Sequence, residues 1–233
     1  MRVTTAAVLF DADDWIVLDK PAGLLTTPRA KGEDSLVGVA QRLRPKSTHW
    51  HPLSRLDAAV TGVVLFALSD WAIATAAAAK EAGEYQRWYA GLAGAAVEGD
   101  EGEWSWRIED DPKDRTRRRC GEGATSVEAL TRWTKLGAGE RATALGFVPV
   151  TGRTHQIRVH AAKAGASLLG DVAYGGAKRL TSPTGSVLAV PRVMLHARAV
   201  KVPGRPSVVT SPWPSDLAAL QSALVPTMAA WPP

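Results

Sequence analysis

A single cysteine, Cys120, stands among the 233 residues, so an intramolecular disulfide framework is excluded and the chain suits a reducing compartment. No metal-ligand spacing surrounds Cys120, which reads as a small, half-buried thiol beside a basic stretch rather than as a nucleophile. Phenylalanine, tyrosine and methionine number three each, and no apolar run approaches the roughly 20 residues of a membrane helix. Near the start, a brief Ala6-Ala7-Val8-Leu9-Phe10 run meets Asp11, Asp13 and Asp14. It is too short for a secretory signal's apolar region, and the expectation is a cytoplasmic protein that avoids membranes. Metal ligands are also scarce: His49, His51 and Asp57 lie close together, but nothing completes the three or four ligands of a zinc site. The two loop histidines are expected as polar lining or bystanders, with no metal and no cofactor. Low-complexity tails and internal repeats are absent.

What the chain has is ordinary globular composition, 45% hydrophobic and 22% charged, with 28 basic against 23 acidic side chains. The resulting +5 formal charge and pI near 9.6 suggest an anionic partner, nucleic acid if the basic groups share one face. Positive charge is densest at Lys113-Asp114-Arg115-Thr116-Arg117-Arg118-Arg119. A solvated edge strand would carry such charge; phosphate contact through Arg117 and Arg118 is the favoured reading. Nine tryptophans are expected mainly in the core or at interfaces.

Local patterns predict one α+β unit. Residues 8–10 and 15–19 read as strands around an acidic turn, broken by Lys20-Pro21-Ala22-Gly23, with Lys20 expected as a solvated turn lysine. Ser35 caps a helix through Leu36, Val39, Ala40 and Leu43 that Pro45 ends. Residues 63–68 form a buried strand entered at Gly62. Ser69-Asp70 starts an alanine-rich helix over 71–82 that stops at Gly83. Residues 86–92 alternate as a strand, with Trp88 in the core and Tyr89 half-exposed on the face of Arg87. Residues 97–103 read as a surface hairpin or loop and 143–150 as a strand. Thr154 is placed to cap a helix carrying Ile157, Ala161 and Ala164, stopped by Gly165, and residues 215–224 form a closing helix.

Two segments about a hundred residues apart carry the chemistry: Ser54-Arg55-Leu56-Asp57-Ala58-Ala59-Val60-Thr61-Gly62 and Gly152-Arg153-Thr154-His155-Gln156-Ile157-Arg158-Val159-His160. Taken alone, Arg55 and Asp57 would form a local surface ion pair, and Arg153, His155 and His160 would be satisfied structural polar groups. Together the segments resemble the RluA-type family of RNA pseudouridine synthases, which has Arg-Leu-Asp with Thr/Ser-Gly close behind and, much later, the second segment letter for letter. Asp19-Lys20-Pro21-Ala22-Gly23, Arg87-Trp88-Tyr89-Ala90, Leu169-Gly170-Asp171-Val172-Ala173-Tyr174-Gly175 and Leu195-His196-Ala197 extend the likeness in the family's order.

The resemblance implies a pseudouridine synthase catalytic domain over 1–233, its core about 8–225, on a mixed, mainly antiparallel twisted sheet flanked by helices and loops. No N-terminal RNA-binding appendage is evident. It implies isomerisation of uridine in structured RNA, ribosomal or transfer; a monomer is expected. Asp57 matches the catalytic aspartate and Tyr89 the active-site tyrosine, whose ring can stack on a flipped uracil. Arg158 is assigned to keep the carboxylate ionised, because a carboxylate in a dry pocket is driven towards its neutral acid unless a cation offsets the burial. Arg55, Ile157, Arg153, His155, Arg117 and Arg118 complete the expected RNA contacts. The chain departs from the family at Ser54, where His is usual; at Val60-Thr61-Gly62, for Thr-Ser-Gly; and at Arg87, for Lys. These departures bear on substrate positioning. A catalytically idle RNA-binding protein on the same fold is the alternative; a glycoside hydrolase would need a second carboxylate that no motif supplies.

Overall fold

The computed structural model describes residues 5–232; the part of the N-terminal reading that falls on residues 1–4 lies outside them. In chain order the elements are β1 (Ala7–Asp11), β2 (Trp15–Lys20), α1 (Leu36–Leu43), β3 (His51–Pro52), β4 (Thr61–Ala67) and α2 (Asp70–Glu81). There follow β5 (Arg87–Ala93), β6 (Glu101–Trp104), β7 (Ile108–Asp111), β8 (Asp114–Cys120), β9 (Thr131–Ala138), β10 (Thr143–Pro149) and α3 (Gln156–Lys163). A 3₁₀ turn (Val172–Tyr174), β11 (Arg179–Thr181), β12 (Val187–Ala189), β13 (Leu195–Lys201), β14 (Val208–Thr210) and α4 (Ser215–Leu224) complete the chain. This is an α+β fold with mixed, mainly antiparallel strand pairing. It divides into two units, one running to Arg87 and resuming over His196–Pro212, the other made of Trp88–Leu195 and Trp213–Pro233.

The first unit is organised around β4, Thr-Gly-Val-Val-Leu-Phe-Ala, every residue of which is buried. A continuous apolar run suits a strand covered on both faces. β2 lies antiparallel to it, Trp15 opposite Ala67 and Lys20 opposite Gly62, and β13 lies parallel on the other side; the short β3 also pairs with β4, while β1 lies beyond β2 and β14 beyond β13. Helix α1 packs against β2 and α2 against β4. Both helices start as expected: Ser35 Oγ accepts from Gly38 N at 3.2 Å and Ser69 Oγ from Ala72 N at 3.2 Å. Gly62, at φ +112°, is required, because a Cβ there would run into the Ala197 carbonyl on β13.

The second unit has four antiparallel strands in the order β5-β10-β9-β6, plus the hairpins β7–β8 and β11–β12. Its main core joins Leu92 of β5, Leu136 of β9 and Ala144 of β10 to Leu169, Met194 and the Leu217, Leu220 and Leu224 face of α4. A smaller cluster of Ile108, Ala129 and Val159, with Cys120 and Tyr174 against it, seats the β7–β8 hairpin on α3. The segment expected as a surface hairpin or loop at 97–103 runs into the edge strand β6, which pairs with β9, and Trp104 stacks on Trp133 with ring centres 5.7 Å apart. Of the tryptophans, Trp71 is largely exposed and Trp106 partly so. On β5 the expected burial is reversed, with Tyr89 buried and Trp88 half-buried, because Tyr89 is paired opposite the buried Phe147 of β10.

Candidate active site

Asp57 lies on the turn that leads into β4, its residue half-buried between the buried Leu56 and Val60. Its carbonyl closes the turn by accepting from Val60 N at 3.0 Å. The residue before it is fixed by one hydroxyl used twice: Thr26 Oγ1 donates to the Leu56 carbonyl at 2.9 Å and accepts from Leu56 N at 3.0 Å. The residue after it is fixed by its carbonyl, which accepts from Gly23 N at 2.8 Å and from Lys20 Nζ at 3.0 Å. Residues 20–26 therefore grip the backbone on both sides of the carboxylate. A reactive group on a pinned turn keeps its aim without help from the substrate.

Lys20 corrects the sequence reading. It is fully buried rather than solvated, and its ammonium also donates to the Leu24 and Pro21 carbonyls at 2.7 and 3.0 Å. The pairing of β2 with β4 carries the side chain inward, and three carbonyls offset the loss of water around the charge. Arg55 is exposed and forms no ion pair among the described residues, so the local Arg55–Asp57 bridge is not what holds the carboxylate. Thr61 and His196, both buried, join β4 to β13 through a 2.9 Å hydrogen bond.

The second motif opens α3 differently from its expected cap. The helix begins at Gln156, and Thr154 is exposed outside it. The buried Gln156 amide does the tying: Oε1 accepts from Thr151 Oγ1 at 2.6 Å and Arg153 N at 2.9 Å, while Nε2 donates to the Leu130 carbonyl and to Thr131 Oγ1. His160 continues this anchorage. Its Nε2 faces the Trp106 carbonyl at 2.9 Å and must carry the proton, so Nδ1 accepts from Thr131 Oγ1 at 3.0 Å. Burial pulls the His160 imidazole below its ordinary pKa, against the opposing pull of that carbonyl.

Arg158 sits at the third position of α3, its side chain 13% exposed. Its Nε and Nη2 donate to the two oxygens of Asp171 at 2.7 Å each, and Asp171 is 1% exposed. The guanidinium carbon lies 5.0 Å from the centre of the Tyr174 ring. Tyr174 Oη accepts from Arg118 N at 2.9 Å and meets His155 Nδ1 at 2.8 Å. His155 is in the left-handed region at φ +59°, alone among described non-glycine residues. The structure thus brings together His155, Arg158 and the backbone of Arg118 around Tyr174 and Asp171. Neither of those two stands out from the sequence as a site residue, although both belong to the 169–175 segment. Ile157 is buried, and Tyr89 is fixed on β5, where its carbonyl accepts from Trp231 Nε1 at 2.8 Å.

On the β7–β8 hairpin, three of the arginines face carboxylates: Arg117 with Asp114 at 3.2 Å, Arg118 with Asp110 at 3.0 Å, and Arg119 with the buried Glu109 at 2.7 Å. Lys113 and Arg115 are exposed and form no ion pair among the described residues. A polar cleft of about 320 Å³, lined by Glu109, Asp110, Arg118, Thr125, Arg153 and Thr154, brings Arg118 and Arg153 to one place. Arg153 is steadied there by donating to the Glu128 carbonyl at 2.9 Å. Cys120 at the end of β8 has its thiol pushed up to about 11 by burial, partly countered by Lys163, which makes it a poor nucleophile. Among the described residues no group of three or more His, Cys, Asp or Glu side chains is placed to hold a metal.

Residues 14–163 match the sequence model of the RNA pseudouridylate synthase family. The chain is 32% identical, over 93% of its length and 69% of the relative's, to a ribosomal large subunit pseudouridine synthase D of Xanthomonas campestris. It is 31% identical, over 79% of its length and 81% of the relative's, to a dual-specificity RNA pseudouridine synthase RluA of Pasteurella multocida. Among solved structures, human RNA pseudouridylate synthase domain containing 1 superposes with a TM-score of 0.72 at 20% identity, covering 99% of this chain and 92% of that one. At that identity the likeness is one of fold.

Proposed function

The chain belongs to the RNA pseudouridylate synthase family, an isomerase family that acts on RNA, and from that premise we propose that it converts uridine to pseudouridine in ribosomal or transfer RNA with Asp57 as the catalytic group. The reaction breaks the N1–C1′ bond and joins C5 to C1′; the proton leaves C5 for solvent and N1 takes one up, so there is no redox change and no net hydrolysis. A single carboxylate suffices, added to the base or assisting at the sugar. The observation that supports Asp57 is its turn, gripped on both sides by hydrogen bonds from Lys20, Gly23 and Thr26.

In this reading Arg158 supplies the cation that keeps the carboxylate ionised, and Tyr89 stacks on the displaced uracil. Ile157 gives apolar contact to that base, while Arg55, Arg153, His155, Arg117 and Arg118 meet the RNA around it. The protein works as a cytoplasmic monomer, as one catalytic domain, and needs no cofactor. Asp57→Asn tests the assignment, since the change keeps shape and removes only charge. Release of tritium from 5-tritiated uridine in ribosomal and transfer RNA should fall to background while RNA affinity and the urea midpoint are unchanged. Substantial residual turnover would remove Asp57 from the reaction.

A further inference from the structure

The hydrogen bonding of Arg158 is more elaborate than holding α3 requires. That helix has eight residues and is already anchored by the four hydrogen bonds of the Gln156 amide and the two of His160. Yet a carboxylate that is 1% exposed is committed to the Arg158 fork, two parallel bonds of 2.7 Å that fix the guanidinium in one plane. The turn presenting Asp171 is itself rigid. Asp171 N donates to the Leu168 carbonyl at 3.0 Å, and the Asp171 carbonyl accepts from Tyr174 N at 3.0 Å and Gly176 N at 2.8 Å. A Cβ at Gly176 would run into the Leu168 carbonyl. The Tyr174 ring, 5.0 Å away, supports the same guanidinium, and its hydroxyl bonds to the β8 backbone at Arg118 and to His155.

We propose that Asp171 and Tyr174 are positioning residues that hold the Arg158 guanidinium in the orientation the isomerisation needs, Tyr174 extending that hold to the β7–β8 hairpin. The proposal rests on the role given to Arg158 above. A guanidinium has five N–H donors, and the Asp171 fork uses two of them on one edge, which sets where the rest of the group points. Neither residue touches substrate in this scheme. Both act through Arg158, so their loss should lower the rate at saturating RNA and leave RNA affinity alone.

The test is single-turnover tritium release on saturating 5-tritiated RNA, beside a filter-binding Kd, for the full chain and five variants. Asp171→Asn keeps the shape and one acceptor but loses the charge, and should slow the step about tenfold or more, as a misplaced group does, with Kd within about twofold. In an Arg158→Lys background, which lacks the planar fork, the same substitution should have a much smaller effect, whereas a merely structural role would multiply the two losses. Should Asp171→Asn fail to fold by circular dichroism, Tyr174→Phe carries the test. It keeps the ring and removes one hydroxyl, and is expected to slow the step about threefold or more. An unchanged rate in Asp171→Asn, an unchanged rate in Tyr174→Phe, or fully multiplicative losses would overturn the proposal. Arg158→Met separates the two levels: if it keeps full rate, the role of Arg158 itself fails; if it is slow while Asp171→Asn is not, the positioning proposal alone fails.

Discussion

Replacing Thr26 with valine should loosen the turn that carries Asp57, and the magnitude follows from one hydroxyl. Thr26 is 3% exposed, and its Oγ1 serves both the N–H and the C=O of Leu56, itself buried. Valine fills the same volume, so no cavity opens; what disappears is two hydrogen bonds, with a buried donor and a buried acceptor left unmet. A net bond contributes about 1 kcal/mol and an orphaned buried group costs about 1–3 kcal/mol, so a loss of roughly 2–5 kcal/mol is expected. That is a large part of the roughly 5–15 kcal/mol that holds a domain folded. Urea titration would read it as a lower midpoint at similar slope. Asp57 follows Leu56 directly, and a reacting group displaced by about 1 Å forfeits on the order of a hundredfold in rate, so tritium release should fall even where the variant is fully folded. Thr26→Ser, which keeps the hydroxyl and drops one methyl, should lose only about 1 kcal/mol and keep most of its rate. A valine variant with wild-type midpoint and wild-type rate would refute the idea that this clip sets the carboxylate.

On the hairpin, Lys113→Ala with Arg115→Ala should flatten the salt dependence of RNA binding by about 0.7–0.9 log unit for each phosphate no longer neutralised. The same change at Arg117 and Arg118, already facing Asp114 and Asp110, should flatten it less, and equal slopes for the two pairs would show that these ion pairs open on RNA. Burial holds the His160 imidazole below its ordinary pKa, so below about pH 6.5 the unfolded chain takes up a proton that the native ring refuses. Stability, read as the urea midpoint, should therefore be flat above that pH and fall as pH drops from about 6.5 towards the lowered native value; His160→Gln should remove this fall below about pH 6.5, and an unchanged slope would place it elsewhere. Tyr89→Phe should keep more uridine-RNA affinity than Tyr89→Leu, since stacking is worth about 1–3 kcal/mol per base; equal affinities measured by fluorescence titration would make Tyr89 a sheet residue only.

The parts of this fold that are legible in the sequence are those decided within a few residues. Ser35 and Ser69 cap α1 and α2 because the hydroxyl, the donor three residues on and the apolar face all lie in one short stretch. β4 is legible because an unbroken apolar run has little choice but burial. The start of α3 is not, since its anchor is a glutamine whose partners Leu130 and Thr131 belong to another part of the chain. Lys20 misleads for a related reason: Lys-Pro-Ala-Gly looks like a solvated turn, and only the register that sets Lys20 opposite Gly62 turns its ammonium inward. The motif residues can be found letter by letter, but Asp171 as the partner of Arg158 cannot, because nothing local distinguishes a buried fork from a surface acid.

The hairpin shows how charge counted along a chain can mislead about charge offered to a ligand. Residues 113–119 are the densest cationic stretch, yet the antiparallel register sets Asp110 opposite Arg118 and Glu109 opposite Arg119, so the acidic strand β7 answers the basic strand β8. Each carboxylate fixes an arginine stem and removes much of its charge from view. Asp171 likewise fixes the plane of the Arg158 guanidinium, and Lys20 spends its donors on carbonyls. The formal +5 already subtracts these acids, so pairing leaves it unchanged; what pairing decides is where the attraction comes from, namely cations such as Lys113 and Arg115 together with those whose carboxylate partners RNA can displace. The consequence is a division of labour: a modest electrostatic footprint brings the RNA, while paired charges hold arginines in fixed positions, where geometry counts for more than net charge.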